Sequence, residues 1–160
     1  DLAARNILVK EEEGRFVAKV ADFGLARLAQ SNYYTKGGAP VPIRWSAPEV
    51  LSKEKYSTKS DVYSVGMVFW EIVSRCVAGV YKRPFSEYPN IMMEYQVLVQ
   101  VSKNNLRPTI LEGTPPEFAQ LIQRCWHSNP HVRPEATEIV CELENIKTDY
   151  VNYPTKWESK

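Results

Sequence analysis

Three polar side chains that could bind a cation or take up a proton flank two short apolar runs. Asp1 and Asn6 come just before the run Ile7-Leu8-Val9, and Asp22 follows a second run that ends at Val20. Carboxylate and amide oxygens are hard donors that suit hard metal ions, and a carboxylate can also act as a general base. Taken singly, Asn6 is typical of a turn and Asp22 of a cap. Their chemistry therefore depends on the elements that hold them.

Those elements change in type along the chain. Apolar runs at 7–9 and 16–20, separated by turn residues at 11–14, predict two strands. Residues 22–46 are rich in Gly, Pro, Ser and Asn and have no sustained periodicity, which indicates a long functional or disordered loop. Helical spacing of apolar residues then predicts four helices, of which the first should lie at the centre of the core.

Capping residues mark the expected helix ends. Ser60 or Asp61 can cap the first helix, which begins near residue 58. Thr114, Pro115 and Glu117 have the pattern of a capped N-terminus for the third helix. The second helix is expected to have an apolar face made of Ile91, Tyr95, Leu98 and Val101. The fourth should run from about Glu135 to Lys147, with a loop or disordered tail from Tyr150 to Lys160.

The composition is that of an ordinary soluble domain. The 160 residues carry 20 Lys and Arg against 19 Asp and Glu, so the near-neutral chain is not expected to bind nucleic acid. No apolar run approaches the roughly 18 residues of a membrane-spanning helix, so no membrane contact is expected from this segment. Three widely spaced cysteines, with only His127 and His131 beside them, favour buried free thiols in a reducing compartment over disulfides or zinc.

The order of short motifs resembles the protein-kinase catalytic domain, over the segment from Asp1 to about Lys147. The motifs are Asp1-Leu2-Ala3-Ala4-Arg5-Asn6, Asp22-Phe23-Gly24, Ala47-Pro48-Glu49, Ser60-Asp61-Val62-Tyr63-Ser64-Val65-Gly66 and Cys125-Trp126-His127-x-x-Pro130-x-x-Arg133-Pro134. One triplet alone would be weak evidence, but five in order are very specific. The resemblance implies an α+β fold, namely the mostly α-helical C-terminal lobe of the kinase domain with a small β-hairpin at its N-terminal side. Residues 1–149 would form this lobe and residues 150–160 a tail.

The resemblance assigns catalytic and ATP-binding roles to the first two motifs. Asp1 would orient the attacking hydroxyl and accept its proton, and Arg5 would supply a cation near the transferring phosphate. Asn6 and Asp22 would hold Mg²⁺ against the phosphates of ATP, and Leu8 would form the floor under the adenine ring. For Leu8, a plain core-strand position is compatible with that role.

Further residues match structural and regulatory positions of the family. Phe23 and Gly24 complete the Asp-Phe-Gly motif. Glu49 and Arg133 match a buried ion pair that ties the activation segment to the last helices. Asp61 matches a residue that hydrogen-bonds the catalytic-loop backbone, although a plain helix cap would also explain it. Tyr33 and Tyr34 fall in the activation segment, where phosphates could pair with arginines such as Arg27 or where the tyrosines are simply exposed.

Two features favour tyrosine as the acceptor. Ala3 occupies a position where serine/threonine kinases usually have Lys, and Arg5 would supply the cation instead, as in receptor-type tyrosine kinases. Pro42, Arg44 and Trp45 match a substrate platform against which a tyrosine ring can lie. The stretch from Trp70 to Phe85 is instead longer than in animal tyrosine kinases and looks like tyrosine-kinase-like enzymes of amoeboid protists. A serine/threonine or dual-specificity kinase and a pseudokinase scaffold therefore remain alternatives, as does a truncated product without enzyme function.

The Gly-rich phosphate loop and the ATP-anchoring Lys of the family have no counterpart in the 160 residues, in which no Gly-x-Gly-x-x-Gly occurs. The chain is therefore expected to be a fragment that lacks the N-terminal lobe and is inactive by itself. The resemblance implies ATP and Mg²⁺ as cofactors, protein substrates as partners and a role in signal transduction. Its use of ATP implies a cytoplasmic enzyme or the cytosolic portion of a receptor.

Overall fold

A β-hairpin precedes a group of helices in the computed structural model, which describes residues 1–24, 26, 42–52 and 56–153. The strands are β1 (Ile7–Glu12) and β2 (Arg15–Val20), and the helices are α1 (Pro48–Leu51), α2 (Thr58–Ala78), α3 (Glu94–Asn104), α4 (Pro116–Cys125) and α5 (Ala136–Asn152). Single 3-10 turns occupy Ala4–Asn6, Ile43–Trp45 and Pro130–Val132. This mostly helical α+β architecture confirms the predicted fold class.

The hairpin pairs β1 and β2 antiparallel, from Ile7 opposite Val20 to Glu12 opposite Arg15. Its turn contains only Glu13 and Gly14, whose φ values are 51° and 75°. Two successive residues with positive φ are typical of the tight turns whose twist matches that of paired strands. Since two residues suffice for the turn, β1 extends to Glu12, three residues beyond the predicted strand.

Helix α2 lies at the centre of the core, as its apolar pattern predicts. It contacts α4 and all three 3-10 turns, and it has nine buried residues. The largest of its buried apolar side chains are Tyr63, Met67 and Trp70. A second buried cluster joins α2, α4 and α5 through Val62, Leu121, Cys125 and Ile139. The helix that carries most of the core therefore also supports the segments that precede α1.

Two predicted helix caps are wrong. Ser57 caps α2 instead of Ser60 or Asp61, because Ser57 and Ser60 satisfy each other: each hydroxyl accepts the other's backbone N–H. Helix α4 begins at Pro116 without a side-chain cap, one residue later than the Thr114 signal predicts. The reason is Pro116 itself, since a proline disfavours helical backbone in the residue before it, here Pro115.

The second and fourth helices also differ from their patterns. In α3 the buried residues are Val97 and Val101, while Tyr95 is exposed, because the helix begins at Glu94 and turns Tyr95 towards solvent in its first turn. Helix α5 continues to Asn152 instead of ending at Lys147. It ends two residues before Pro154, which disfavours helical backbone at Tyr153. Residues 150–152 are thus helical, and residues 154–160 lie outside the described part.

The cysteines are not all buried as predicted. All three are free thiols, but Cys76 and Cys141 are exposed because they lie on the outward faces of α2 and α5. Only Cys125 is buried, and burial raises its pKa to about 12, so this thiol stays protonated and unreactive at neutral pH. In the described part of the chain, no helix is long and apolar enough to cross a membrane.

Gly66 allows α2 and α4 to approach closely. A Cβ at this position would lie 2.8 Å from Cys125 Cβ and 3.3 Å from the backbone nitrogen of Trp126. We therefore expect Gly66→Ala to lower the free energy of unfolding of the 160-residue chain by about 1–3 kcal/mol, the usual cost of overpacking. Urea unfolding measures this, with Cys76→Ala on the exposed face of α2 as the control, expected within about 0.5 kcal/mol of the unsubstituted chain. A Gly66→Ala chain as stable as the control would contradict the close approach.

Candidate active site

The segment from Asp1 to Asn6 folds into a compact loop held by its own polar groups. Arg5 Nη2 donates to Asp1 Oδ1 at 2.7 Å, and Asn6 Nδ2 donates to the carbonyl oxygen of Asp1 at 2.8 Å. The Asn6 N–H also donates to the carbonyl oxygen of Ala3, which is fully buried. The carboxylate of Asp1 therefore has a fixed cationic neighbour, and the amide oxygen of Asn6 is the atom of that side chain suited to a cation.

Asp22 is tied to the same loop through the end of β2. The Ala21 N–H donates to the carbonyl oxygen of Asn6 at 2.8 Å. Asp22 itself has a φ of 59°, an uncommon conformation for a residue other than glycine. Its Oδ1 accepts the Gly24 N–H at 3.2 Å, and a Cβ on residue 24 would meet this oxygen at the same distance. The sharp turn therefore fixes the position of the Asp22 carboxylate and leaves little room for a side chain at position 24.

The oxygen donors suit Mg²⁺ only when a ligand supplies the rest of the coordination. Among the described residues, no group of three or more His, Cys, Asp or Glu side chains could hold a metal ion alone. Asn6 and Asp22 offer one amide and one carboxylate, both hard oxygen donors. Mg²⁺ in nucleotide enzymes is commonly held by one or two carboxylates together with phosphates and water. The donor set therefore fits Mg²⁺ bound jointly with a phosphate ligand.

The hairpin beside this loop exposes large apolar side chains. Leu8 is 64% exposed, so it is not a core residue within this chain, and Phe16 on β2 is 81% exposed. Val9, Val20 and Phe23 are exposed as well. An isolated two-stranded hairpin is marginally stable in water, and a concentration of exposed apolar side chains marks a contact surface.

A cavity of about 470 Å³ opens next to Arg5. Pro42, Ile43 and Trp45 line one part of it, and Tyr81, Arg83 and Glu94 complete its wall. The structure thus brings Arg5, Pro42 and Trp45 of the predicted set to one cavity. Arg44 is placed differently: it is buried, and its guanidinium donates to Glu94 Oε1 at 2.9 Å and to the carbonyl oxygen of Pro84 at 2.6 Å.

Trp45 connects the cavity to the loop of residues 1–6. The Arg5 guanidinium lies over its ring at 4.4 Å from the ring centroid, a cation–π contact. The indole Nε1–H donates to Glu71 Oε2 at 2.9 Å, and the same oxygen accepts the Ala4 N–H at 2.9 Å. The buried carboxylate of Glu71 therefore holds both the loop that carries Arg5 and the indole that Arg5 covers.

Glu49 and Arg133 form the ion pair that the resemblance implies. Arg133 Nη1 lies 2.6 Å from Glu49 Oε1, and Nη2 lies 2.8 Å from Oε2, a two-point contact. The guanidinium also lies 5.3 Å from the ring centroid of Tyr63, which Arg107 approaches from 5.0 Å. Burial raises the pKa of Tyr63 to about 12, so its phenol stays neutral between these cations.

The remaining predicted residues have different positions. Asp61 lies in the first turn of α2, where loss of hydration raises the pKa of its carboxyl. Glu71 Oε2 accepts the Ala4 N–H of this loop, and the hydrogen bond expected between Asp61 and the loop backbone stays a prediction. Tyr33 and Tyr34, and the Arg27 expected to pair with their phosphates, lie outside the described residues.

Sequence reasoning missed four residues of the site. Tyr81 and Arg83 belong to the connection between α2 and α3, which was noted only for its length. Glu94 neutralises both Arg44 and Arg83 at 2.9 Å. Glu71 was overlooked, but it gave a usable signal, since a charged residue inside an apolar helical run is seldom buried without partners.

The comparisons with known proteins agree with this geometry. Residues 1–143 match the family described as protein tyrosine and serine/threonine kinase. The chain is 41% identical to the stress-activated protein kinase alpha of Dictyostelium discoideum, with 98% of the chain and 24% of that protein aligned. It is 40% identical to a probable serine/threonine-protein kinase of the same organism, over 99% of the chain and 7% of that protein.

A match outside the amoeboid protists widens the range of relatives. Ephrin type-A receptor 6 of Rattus norvegicus is 38% identical, over 91% of the chain and 13% of the receptor. The chain thus spans less than a quarter of the length of these curated relatives. Their names include both a serine/threonine-protein kinase and a receptor, so the relatives leave the acceptor amino acid open. By its match over residues 1–143, the chain belongs to the protein tyrosine and serine/threonine kinase family.

Proposed function

We propose that the longer protein containing this chain, here called the parent protein, transfers the γ-phosphate of ATP to tyrosine residues of other proteins. The observation that carries the proposal is the position of the Asp1–Arg5 pair beside the cavity of Pro42 and Trp45. A carboxylate with a fixed cation next to an open cavity suits a reaction in which a hydroxyl must be oriented and charge must be neutralised.

Each residue of the catalytic loop has a separate task in this proposal. Asp1 orients the acceptor hydroxyl and takes up its proton, while Arg5 holds the Asp1 carboxylate and adds positive charge near the transferred phosphate. Asn6 and Asp22 would hold Mg²⁺, which neutralises phosphate charge when bound. The backbone bond between Ala21 and Asn6 keeps the two ligand-bearing turns together. Leu8 would carry the adenine ring.

The shape of the cavity supports tyrosine as the acceptor. A phenol reaches further from its own backbone than a seryl hydroxyl does, and Pro42 and Trp45 offer apolar surface for its ring. A second candidate, phosphorylation of serine or threonine, is favoured by the name of a close relative and by the long connection that brings Tyr81 into the same cavity. A dual-specificity enzyme would combine both activities.

A further lobe is part of the proposal. The exposed Leu8, Phe16 and Phe23 provide an apolar surface suited to packing against additional chain, and Leu8 faces outward as an adenine floor would require. We infer that the parent protein supplies an N-terminal lobe that covers this surface and completes the ATP cleft. The 160-residue chain by itself is then inactive as a kinase.

Regulation and location follow from the same proposal. Phosphorylation of Tyr33 and Tyr34 would add about −1.5 to −2 charges each in the activation segment and act as a switch in signal transduction. The proposed use of ATP and the free thiols favour a cytoplasmic domain, either in a soluble enzyme or in the cytosolic part of a receptor.

Phosphoamino-acid analysis of protein substrates tests the acceptor. We expect the parent protein with Mg-ATP to produce phosphotyrosine, since the cavity offers a surface for an aromatic ring. The Asp1→Asn variant measures background phosphorylation. Phosphoserine or phosphothreonine alone would contradict the tyrosine proposal and favour the second candidate, with Asp1, Asn6 and Asp22 in the same roles.

A further inference from the structure

Glu71 joins three segments that surround the acceptor cavity. It lies in the middle of α2 and is 2% exposed. Its Oε2 accepts the Ala4 N–H of the catalytic loop and the Trp45 Nε1–H, both at 2.9 Å. Its Oε1 accepts the Tyr81 hydroxyl at 2.8 Å. One buried carboxylate therefore fixes the loop, the platform and the α2–α3 connection relative to one another.

The contacts continue from Glu71 to the reacting groups. The indole N–H of Trp45 donates to Glu71, and the face of the Trp45 ring lies against the Arg5 guanidinium. Arg5 in turn binds the Asp1 carboxylate. Tyr81 differs from the other partners of Glu71, because its ring is half exposed and forms part of the cavity wall. A molecule in the cavity therefore contacts Tyr81, whose hydroxyl donates to Glu71. Glu71 in turn holds the loop of residues 1–6 through the Ala4 N–H.

We propose that Glu71 and Tyr81 are positioning residues for phosphoryl transfer, with Tyr81 coupling the wall of the acceptor cavity to Asp1 through Glu71, Trp45 and Arg5. The inference rests on the proposed kinase function of this site. The same hydrogen bonds then hold both Tyr81, against which the acceptor side chain packs, and the loop that carries Asp1. The acceptor hydroxyl is thereby aligned with Asp1. Loss of the network lowers the rate of the transfer step and leaves ATP binding unaltered.

Substitutions that keep the shape of each side chain test the network. Tyr81→Phe keeps the ring in the cavity wall but removes the donor to Oε1, so we expect kcat of the parent protein to fall about tenfold with KM for ATP unchanged. Glu71→Gln can still accept from Ala4 and Trp45 through its amide oxygen, and its NH₂ group can donate to the Tyr81 hydroxyl. It should therefore retain kcat within about threefold, whereas Glu71→Leu should lose far more.

Tyr88→Phe is the matched control for Tyr81→Phe. The Tyr88 hydroxyl donates to the carbonyl oxygen of Arg107 at 2.8 Å, and it belongs to the same connection but does not line the cavity. Equal kcat values for the two variants would overturn the inference. Absence of any phosphoryl transfer by the unsubstituted parent protein would instead overturn the proposed function, so the two failures are distinguishable.

The indole N–H signal of Trp45 gives a readout independent of activity. In nitrogen-15 spectra of the 160-residue chain, assigned through Trp45→Phe, we expect Tyr81→Phe to shift this signal because it changes the charge distribution on Glu71. Tyr88→Phe should leave it in place. A Trp45 signal that responds to neither substitution would contradict a coupling through Glu71.

Discussion

Asp1→Asn should lower kcat of the parent protein by about 10²–10⁴-fold, the usual contribution of a positioned general base. Asparagine has almost the same shape as aspartate, and its amide oxygen can still accept the hydrogen bond that Arg5 donates at 2.7 Å. What it cannot do is take up the proton of the acceptor hydroxyl. We therefore expect KM for ATP to stay within about threefold while kcat falls, as measured by initial rates of substrate phosphorylation.

Glu144→Gln is the control for this substitution. It makes the same change from carboxylate to amide on the exposed surface of α5, and it should leave kcat unchanged. An Asp1→Asn protein that keeps its full rate would show that Asp1 is not the base. A parent protein that binds ATP but phosphorylates nothing, with or without the substitution, would support the alternative of a pseudokinase scaffold.

The local parts of this site could be predicted from the sequence. Asp1 and Asn6 belong to one loop, and Asp22 follows the strand that pairs with β1, so short spacings bring these residues together. The two strands and the helices α2 to α5 were also predictable, because their apolar periodicity is a property of neighbouring residues, whereas the single-turn helix α1 is too short to show such a period and was missed. Errors occurred at the element ends, where one residue such as Ser57 or Pro116 decides the boundary.

Contacts between distant segments could not be predicted in the same way. Ala4 and Glu71 are 67 positions apart in the sequence. No rule of residue spacing predicts a hydrogen bond between a backbone N–H and a carboxylate at such a separation. Arg44 shows the same limit: its motif indicates a platform residue, yet burial against Pro84 and Glu94 turns its charge inward. Such partners depend on how helices pack, which the sequence pattern of one element does not contain.

The pair of Glu49 and Arg133 was a long-range contact that only the resemblance implied, and it should dominate the stability of this part of the fold. The Arg133 side chain is fully buried, and that of Glu49 is 10% exposed. Besides its two contacts with Glu49, the guanidinium donates to the carbonyl oxygens of His127, Lys59 and Ser128. These bonds account for all five N–H groups of arginine.

Breaking one side of this pair should cost about 3–5 kcal/mol in the free energy of unfolding, because the partner charge stays buried without compensation. We expect this loss for Glu49→Leu and for Arg133→Met, measured by urea unfolding of the 160-residue chain. Arg133→Lys keeps the charge but has only three donors, so it must give up at least two of the five hydrogen bonds and should also destabilise the chain.

The double variant separates the ion pair from the other contacts of its two residues. With both charges removed, no unpaired buried charge remains, so Glu49→Leu combined with Arg133→Met should lose clearly less than the sum of the two single losses. Part of the loss should persist, since the carbonyl oxygens of His127, Lys59 and Ser128 then lack their donor. Strictly additive losses would mean that Glu49 and Arg133 stabilise the fold independently, and the observed two-point geometry would then have no energetic role. A coupling energy of about 2 kcal/mol or more would identify this ion pair as the main link between α1 and the segment that precedes α5.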